Sequence, residues 1–362
     1  MSSTEKPLNA PAFLNIARLL IAVQVPTKTR RVLPAPARSF LRLDGPATRN
    51  SSVAGRQRGP STRGLDLCER SNSVALLGFP GDNRACMTDK PRNRRPLTRR
   101  QLIEYARALG TPPESTVMLH CSLSSMGYVV GGADTVVAGL LDTVGPNGTL
   151  MALAGWDHDS YDLLEWPEAL RSAYLADPPG FDPFVSESAR DVGRLPERIR
   201  TWPGAAPSTH PEARFVAVGR RAEWITKDQP LYHPYGSESP LAKLVKTEGS
   251  VLLLGAPLNT ITLLHHAEEL AHVPNKKIVR YRAPVATRGG IEWLEIEDID
   301  TSEGALPYEQ VVGERDAFDV IAEAAIADGV GEQGVVGEAL SYLFPARELV
   351  AFAVRWMENH FA

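Results

Sequence analysis

Three short apolar runs, each followed by a turn or a stretch with helical spacing, most constrain how this chain folds. Val117-Met118-Leu119-His120, Thr149 to Ala154 and Val251-Leu252-Leu253-Leu254 have the length and aliphatic content of strands. Continuous rather than alternating hydrophobicity in so short a run marks a buried strand. Between the first two, Ala133 to Val144 sets Val136, Val137, Leu140 and Leu141 on one helical face, and Gly145-Pro146-Asn147-Gly148 turns the chain. Upstream, Thr98-Arg99-Arg100-Gln101 opens a helix through Ala108, with Leu102, Tyr105 and Leu109 at helical spacing and Gly110 at its end. Further helices are expected near 260–271, 315–327 and 346–359, and a hairpin around Gly289-Gly290 that sets Val279-Arg280-Tyr281-Arg282 against Trp293-Leu294-Glu295-Ile296. The segment 156–215 reads as irregular and acidic. The alternation as a whole predicts an α/β layered fold without internal repeats.

Charge divides the 362 residues into two unlike pieces. Residues 1–86 carry 13 Lys and Arg against 5 Asp and Glu, a net of +8, while the remainder carries 26 against 38, a net of −12. The basic piece mixes Arg, Pro, Ser and Gly without a period, as in Arg56-Gln57-Arg58-Gly59-Pro60. It reads as a disordered extension rather than a domain. A targeting peptide lacks its small-residue cleavage site here, and nucleic-acid binding lacks aromatics to stack on bases. Met87 looks like a natural start for the folded domain, 87–362. No run approaches the length of a membrane span. The three cysteines, Cys68, Cys86 and Cys121, form neither a disulfide framework nor a metal-ligand spacing, which points to a reducing cytoplasm.

Three places carry candidate chemistry. His120-Cys121-Ser122-Leu123-Ser124-Ser125 follows a strand, and Gly131-Gly132 opens the next helix. Ligands bind at the carboxyl ends of strands in open α/β sheets, and helix-start amides attract phosphate; a Gly-Gly pair before a helix is also an ordinary turn. In Leu264-His265-His266-Ala267-Glu268-Glu269, residues His265 and Glu268 lie three apart and share a helical face. A neutral imidazole there suits proton removal from an amine, with the carboxylate stabilising the imidazolium, although the same spacing serves an ordinary surface pair. The stretch 156–191 holds nine carboxylates, among them Asp157, Glu187 and Asp191, against Arg171 and Arg190. Clustered carboxylates attract polycations. A cationic acceptor and a phosphate-bearing donor are the substrates these features suit.

The ordered motifs resemble those of the aminoglycoside 3-N-acetyltransferases. His120-Cys121-Ser122-Leu123-Ser124-Ser125-Met126-Gly127 with Gly131-Gly132 is similar to that family's opening motif, with Cys121 where Ser is usual. Arg200-Thr201-Trp202-Pro203-Gly204, Ser208-Thr209-His210-Pro211, Tyr235-Gly236-Ser237-Glu238-Ser239-Pro240-Leu241 and Leu254-Gly255-Ala256-Pro257 follow in order. Asn259-Thr260-Ile261-Thr262-Leu263-Leu264-His265-His266-Ala267-Glu268 is the strongest match, and the likeness runs from about 100 to 360.

The resemblance implies a single layered domain of the family's own α/β type with a mixed central sheet. It implies acetyl-CoA as co-substrate, aminoglycosides of the gentamicin and tobramycin class as acceptors, and no metal, nucleic acid or membrane partner. A monomer or homodimer is expected. His265 would be the general base, oriented by Glu268 or a nearby acid, with His120 the third catalytic candidate. Ser122, Ser124, Gly131 and Gly132 would line the donor site, and backbone amides near Ser122 would face the developing oxyanion. Asp157, Glu187, Asp191, His210 and Asp300 are the acceptor-site candidates. The rivals are a covalent route through Cys121 or Ser122, a metal hydrolase built on Trp156-Asp157-His158-Asp159, and a drug-binding protein without chemistry. Deleting residues 1–86 is expected to leave folding and turnover intact; a truncated protein that aggregates or loses turnover overturns the two-piece reading.

Overall fold

A computed structural model describes residues 95–157, 163, 166–301 and 304–362; the basic piece and its boundary at Met87 lie outside them. Helix α1 (Arg99–Ala108) starts at a capping box in which the Thr98 side chain accepts from the Gln101 amide and Gln101 answers the Thr98 amide. Its buried stripe is Leu102, Ala106 and Leu109, while Tyr105 stays exposed. Strand β1 (Thr116–Cys121), helix α2 (Gly132–Val144) and strand β2 (Thr149–Leu153) follow as expected.

The segment expected to be irregular holds short regular elements among its described residues. It contains α3 (Glu168–Ala176), α4 (Arg194–Arg200) and β3 (Ala206–Pro207) before β4 (Phe215–Gly219). Burial of Tyr174 in α3, and of Leu195 and Ile199 in α4, supplies the apolar contacts that spacing over such short helices did not reveal. Then come α5 (Ala222–Thr226), α6 (Pro240–Lys246), β5 (Ser250–Leu254) and α7 (Leu263–Leu270), the last shorter than expected because a 3-10 turn occupies 258–260. The hairpin β6 (Ile278–Thr287) and β7 (Gly290–Ile299) pairs Val279 with Asp298 and Arg282 with Glu295, two residues out of the expected register, and it runs the full ten residues on each side. Helices α8 (Glu309–Val312) and α9 (Ala317–Ala327), strands β8 (Glu332–Val336) and β9 (Ala339–Pro345), and helix α10 (Ala346–Phe361) complete the chain.

The main sheet has seven strands in the order β3-β4-β2-β1-β5-β9-β8. Its centre, β2-β1-β5, is parallel; β4, β9 and the outer strands are antiparallel. The sheet is therefore mixed. Strand alternation sends Met118, Met151 and Leu253 to one face, against Leu241, Leu264, Ile321 and Leu349 of α6, α7, α9 and α10. Val117, Leu119, Leu150 and Leu252 meet Leu102, Val136 and Leu195 of α1, α2 and α4 on the other. Continuous apolar strands follow from this two-sided cover.

Gly219 shows how tightly β4 docks. Its φ is +121°, and a Cβ there would lie 2.3 Å from the Gly148 carbonyl oxygen and 2.8 Å from the Thr149 Cα. Both are backbone atoms of the turn into β2, so neither can swing aside. Gly219→Ala should lower unfolding free energy by about 2–4 kcal/mol, the sum of a backbone conformation closed to Ala and a backbone clash. Urea denaturation reads this as a lower midpoint at unchanged m; an unchanged midpoint contradicts the close approach.

Candidate active site

Parallel strands β1, β2 and β5 deliver their carboxyl ends to one edge of the sheet. At β1 the chain leaves through His120 and a tight serine turn, in which the Ser122 and Ser125 hydroxyls are 2.7 Å apart and those of Ser122 and Ser124 3.5 Å. The Ser122 amide donates to the Leu254 carbonyl of β5, and the Ser125 amide to the Ser122 carbonyl. Those two amides are thus spent on the turn, so an oxyanion would have to be met by other amides near Ser122. Gly131, the residue before α2, offers no side-chain cap, and its Cβ would strike Thr135 Oγ1 at 2.5 Å. Gly132, at φ +60°, faces open space instead. A first-turn carboxylate, Asp134, is paired with Arg198.

His120 lies on the α7 face of β1 and Cys121 on the opposite one, where its sulfur sits 3.7 Å from Met126 Sδ. The His120 Nε2 is enclosed and has no hydrogen-bond partner among the described residues. Burial pushes its pKa down to about 4 and pushes the Cys121 thiol up to about 12. The imidazole is neutral and the thiol protonated near neutral pH.

From β5 the chain turns at Gly255, where a Cβ would meet Ser125 Cβ at 2.9 Å, and enters α7. The i,i+3 spacing does bring His265 and Glu268 together: His265 Nδ1 and Glu268 Oε2 are 2.7 Å apart. This is no surface pair, since His265 is 6% exposed and Glu268 1%. The ring stacks on Tyr235, centroids 5.3 Å apart, and meets the edge of Phe318 at 4.9 Å. The second carboxylate oxygen of Glu268, Oε1, accepts from Tyr308 Oη at 2.7 Å. Sequence reading missed Tyr308 and Phe318 because neither stands at any fixed spacing from α7; Tyr235 was visible only as the first residue of a matched motif.

Beyond β2, the Asp157 amide donates to the Glu187 carbonyl at 3.3 Å and the Asp157 carboxylate pairs with Arg190 at 2.7 Å. Glu187 is exposed, and so is Asp191, whose Oδ1 accepts from the Val192 amide. Other carboxylates of the stretch are engaged locally: Glu168 with Arg171 and Ser172, and Asp182 with the Phe184 and Val185 amides. Asp159, Asp162 and Glu165 lie outside the described residues, as does His158. A buried arginine holds the loop. Arg214 donates to the carbonyls of Pro183, Ser186 and Glu187 at 3.2, 2.8 and 2.9 Å. Asp300 follows β7, half-buried, its amide bonded to the Lys277 carbonyl at the hairpin base. Among the described residues no group of three or more His, Cys, Asp or Glu side chains could hold a metal ion, and no helix is long and apolar enough to cross a membrane.

A sequence model of aminoglycoside 3-N-acetyltransferases matches residues 118–358. Aminoglycoside N(3)-acetyltransferase VIII of Streptomyces fradiae is 48% identical over 266 residues, which are 73% of this chain and 93% of that protein. The chain belongs to the aminoglycoside 3-N-acetyltransferase family. It is an acyltransferase of that kind. Aminoglycoside N(3)-acetyltransferase VII of Streptomyces paromomycinus is 46% identical over 266 residues, 73% of this chain and 92% of the relative. The solved structure of aminoglycoside acetyltransferase AAC(3)-Xa superposes with a TM-score of 0.71 at 46% identity, covering 74% and 94% of the two chains. AAC-IIIb in binary complex with CoASH gives 0.68 at 43% identity over 74% and 98%. AAC-VIa bound to sisomicin gives 0.66 at 32% identity over 74% and 100%.

His210, expected among the acceptor residues, is 0% exposed. Its Nδ1 accepts from the amides of Glu212 and Ala213 at 3.2 and 2.9 Å, shaping the turn before β4. Burial lowers its pKa to about 3, against a smaller opposing pull from the Leu231 backbone. The unfolded chain protonates both rings below their ordinary value of 6.5, whereas the folded chain does so only near 3 for His210 and 4 for His120. Each ring therefore removes nothing above pH 6.5 and about 1.4 kcal/mol per pH unit as pH falls below it. Denaturant titrations at pH 7, 6 and 5 should show this slope. His210→Asn, whose Oδ1 can take the place of Nδ1, should flatten it by one histidine's share, and an unflattened slope contradicts the neutral buried ring.

Proposed function

We propose that the enzyme transfers the acetyl group of acetyl-CoA to the 3-amino group of the 2-deoxystreptamine ring of aminoglycosides, by direct attack with His265 as general base. The observation that carries this reading is the buried His265–Glu268 pair on the helix that follows β5, in a chain nearly half identical to named N(3)-acetyltransferases. Glu268 occupies Nδ1, which leaves Nε2 as the nitrogen for the substrate proton. As the unprotonated amine attacks the thioester carbon, the N–C bond forms, the C–S bond breaks, the amine proton passes to Nε2 and CoA leaves as thiolate. The buried carboxylate stabilises the imidazolium, help of the kind worth about 10²–10⁴ in rate.

The donor is supported by AAC-IIIb, solved with CoASH, and by the matching turn at the end of β1. Ser122, Ser124 and Gly132 with Gly131 would line its reactive end, the open space over Gly132 fitting close approach of a ligand to the backbone. His120, neutral and on the same sheet face as α7, would sit beside the thioester. The acceptor class is supported by AAC-VIa, solved with sisomicin. Exposed Glu187 and Asp191, with Asp157 and Asp300, would receive ammonium groups at other ring positions, drawing in a polycation. Acetylation of the 3-amino group would remove a charge from the drug and confer resistance.

Free-thiol release from acetyl-CoA, with gentamicin or tobramycin present or absent and with or without a chelator, tests the reading. Release that requires the drug and ignores the chelator is expected. Release without drug or its loss on chelation would reject the reaction. His265→Ala should lower kcat by about 10²–10⁴, and near-wild-type turnover in that variant would remove His265 as base.

A further inference from the structure

We propose that Tyr308 is the positioning residue of the site: its phenol fixes the Glu268 carboxyl group and aims it at His265. The inference rests on His265 acting as base and extends that reading to a residue that reaches it through Glu268. Both oxygens of Glu268 are spoken for, Oε2 by His265 Nδ1 and Oε1 by Tyr308 Oη, each at 2.7 Å. Two opposed hydrogen bonds fix the rotation of a carboxylate where one cannot. Tyr308 is itself fixed. It is 6% exposed, its amide donates to Leu306, its carbonyl accepts from Val311 and Val312 at the start of α8, and its ring meets Phe361 of α10 edge-on at 5.6 Å.

The phenol is also suited to remain a donor. Burial first, then the charge of Glu268 and its hydrogen bond, and then Asp316 raise its pKa well above the ordinary value. Other charges face this pair from each packed element. Glu269 lies on α7 itself, Asp298 on β7 and Asp316 before α9, all carboxyls, and Lys276 donates to the Glu269 carbonyl from the loop after α7. Tyr235 and Phe318 contribute only neutral rings to His265. A buried carboxylate in such company is costly unless donors satisfy it. Remove the phenol and Glu268 loses one of its two partners, which favours the form of the pair that already holds the extra proton and cannot accept another.

Tyr308→Phe keeps the ring against Phe361 and deletes only the donor. The measurement is kcat against pH with acetyl-CoA and gentamicin, alongside the thermal midpoint. The acidic limb should rise by about one pH unit, the size of a hydrogen bond to a charged group. Turnover below the limb then falls about ten-fold and returns on the alkaline plateau, with KM for both substrates unchanged. A loss equal at every pH, or an unmoved limb, overturns the inference. In a Glu268→Gln background the same substitution should cost nothing further, because its route of action is gone. Should the phenylalanine variant fail to fold, 3-fluorotyrosine at position 308, a stronger donor of the same shape, should lower the limb, and an unmoved limb there also overturns it. The two readings separate cleanly. Full turnover in His265→Ala rejects the base, whereas lost turnover in His265→Ala with an unmoved limb in Tyr308→Phe rejects the role of Tyr308 alone.

Discussion

Parallel pairing of β1 with β2 on one side and β5 on the other lines up three carboxyl ends on a single edge of the sheet. Because the chain visits β2 first and β5 much later, the connections that leave these strands part at β1, and such a switch point is where open α/β sheets bind ligands. His120 and the serine turn come from β1, the Asp157–Glu187 contact from β2, and α7 with its histidine from β5. No single loop carries the site. Antiparallel β4 and β9 flank the parallel trio and contribute no carboxyl ends to that edge; β4 instead begins there, bringing the His210 turn and Arg214 with it.

Charge at this edge is handled in two ways. On the α7 side carboxyls are buried: burial raises the pKa of Glu269 and raises that of Asp298 well above its usual range. On the β2 side Glu187 and Asp191 stay at the surface, while of the arginines behind them Arg214 is buried and Arg200 largely so. Arg214 turns the carbonyls of the 183–187 loop inward, and Arg200 bonds the Phe184 carbonyl while pairing with Glu197 at 2.6 Å. Burial opposes ionisation of Glu197, yet Arg200 and the Ser188 backbone hold its pKa down at about 2. The loop that displays Glu187 is therefore anchored through its backbone carbonyls, and the Glu187 side chain stays exposed. His233 ties the remaining piece, its two ring nitrogens lying 3.2 Å from Glu269 and 3.4 Å from Glu297, so that the hairpin is fastened to α7.

The central strands, the helices between them and the His265–Glu268 spacing were legible because each is a local pattern. Five successive buried residues in β5, or two residues three apart on α7, need only the period of the element to be recognised. Helices α3 and α4 escaped because they are short, and their few buried residues become apolar faces only when packed. The hairpin slipped by two residues because alternation fixes which side chains share a face but not which of two equivalent registers pairs them. Whether the pair on α7 was surface or site was not decidable from spacing. That rests on Tyr235, 30 residues before His265, and on Phe318 and Tyr308 after it, which tertiary packing alone brings to the ring and the carboxylate.

Packing also discriminates between the two routes by which an acetyl group could move. A covalent route needs a nucleophile and a base within reach of one another, yet successive residues of a strand point to opposite faces. His120 looks toward α7 while Cys121 packs beneath the sheet against Met126, its thiol pushed up to about 12 by burial. A thiol so placed is an inert apolar group. Nor can His120 cycle a proton near neutral pH, since burial keeps it uncharged down to about 4. Ser122 is tied by its hydroxyl to the hydroxyls of its own turn, with a 2.7 Å partner in Ser125 rather than an imidazole. His265, by contrast, has a buried carboxylate behind it, and that carboxylate is itself braced from the far side by Tyr308. This packing supports the proposal that the proton is moved from α7, by direct attack of the amine, over the covalent rival.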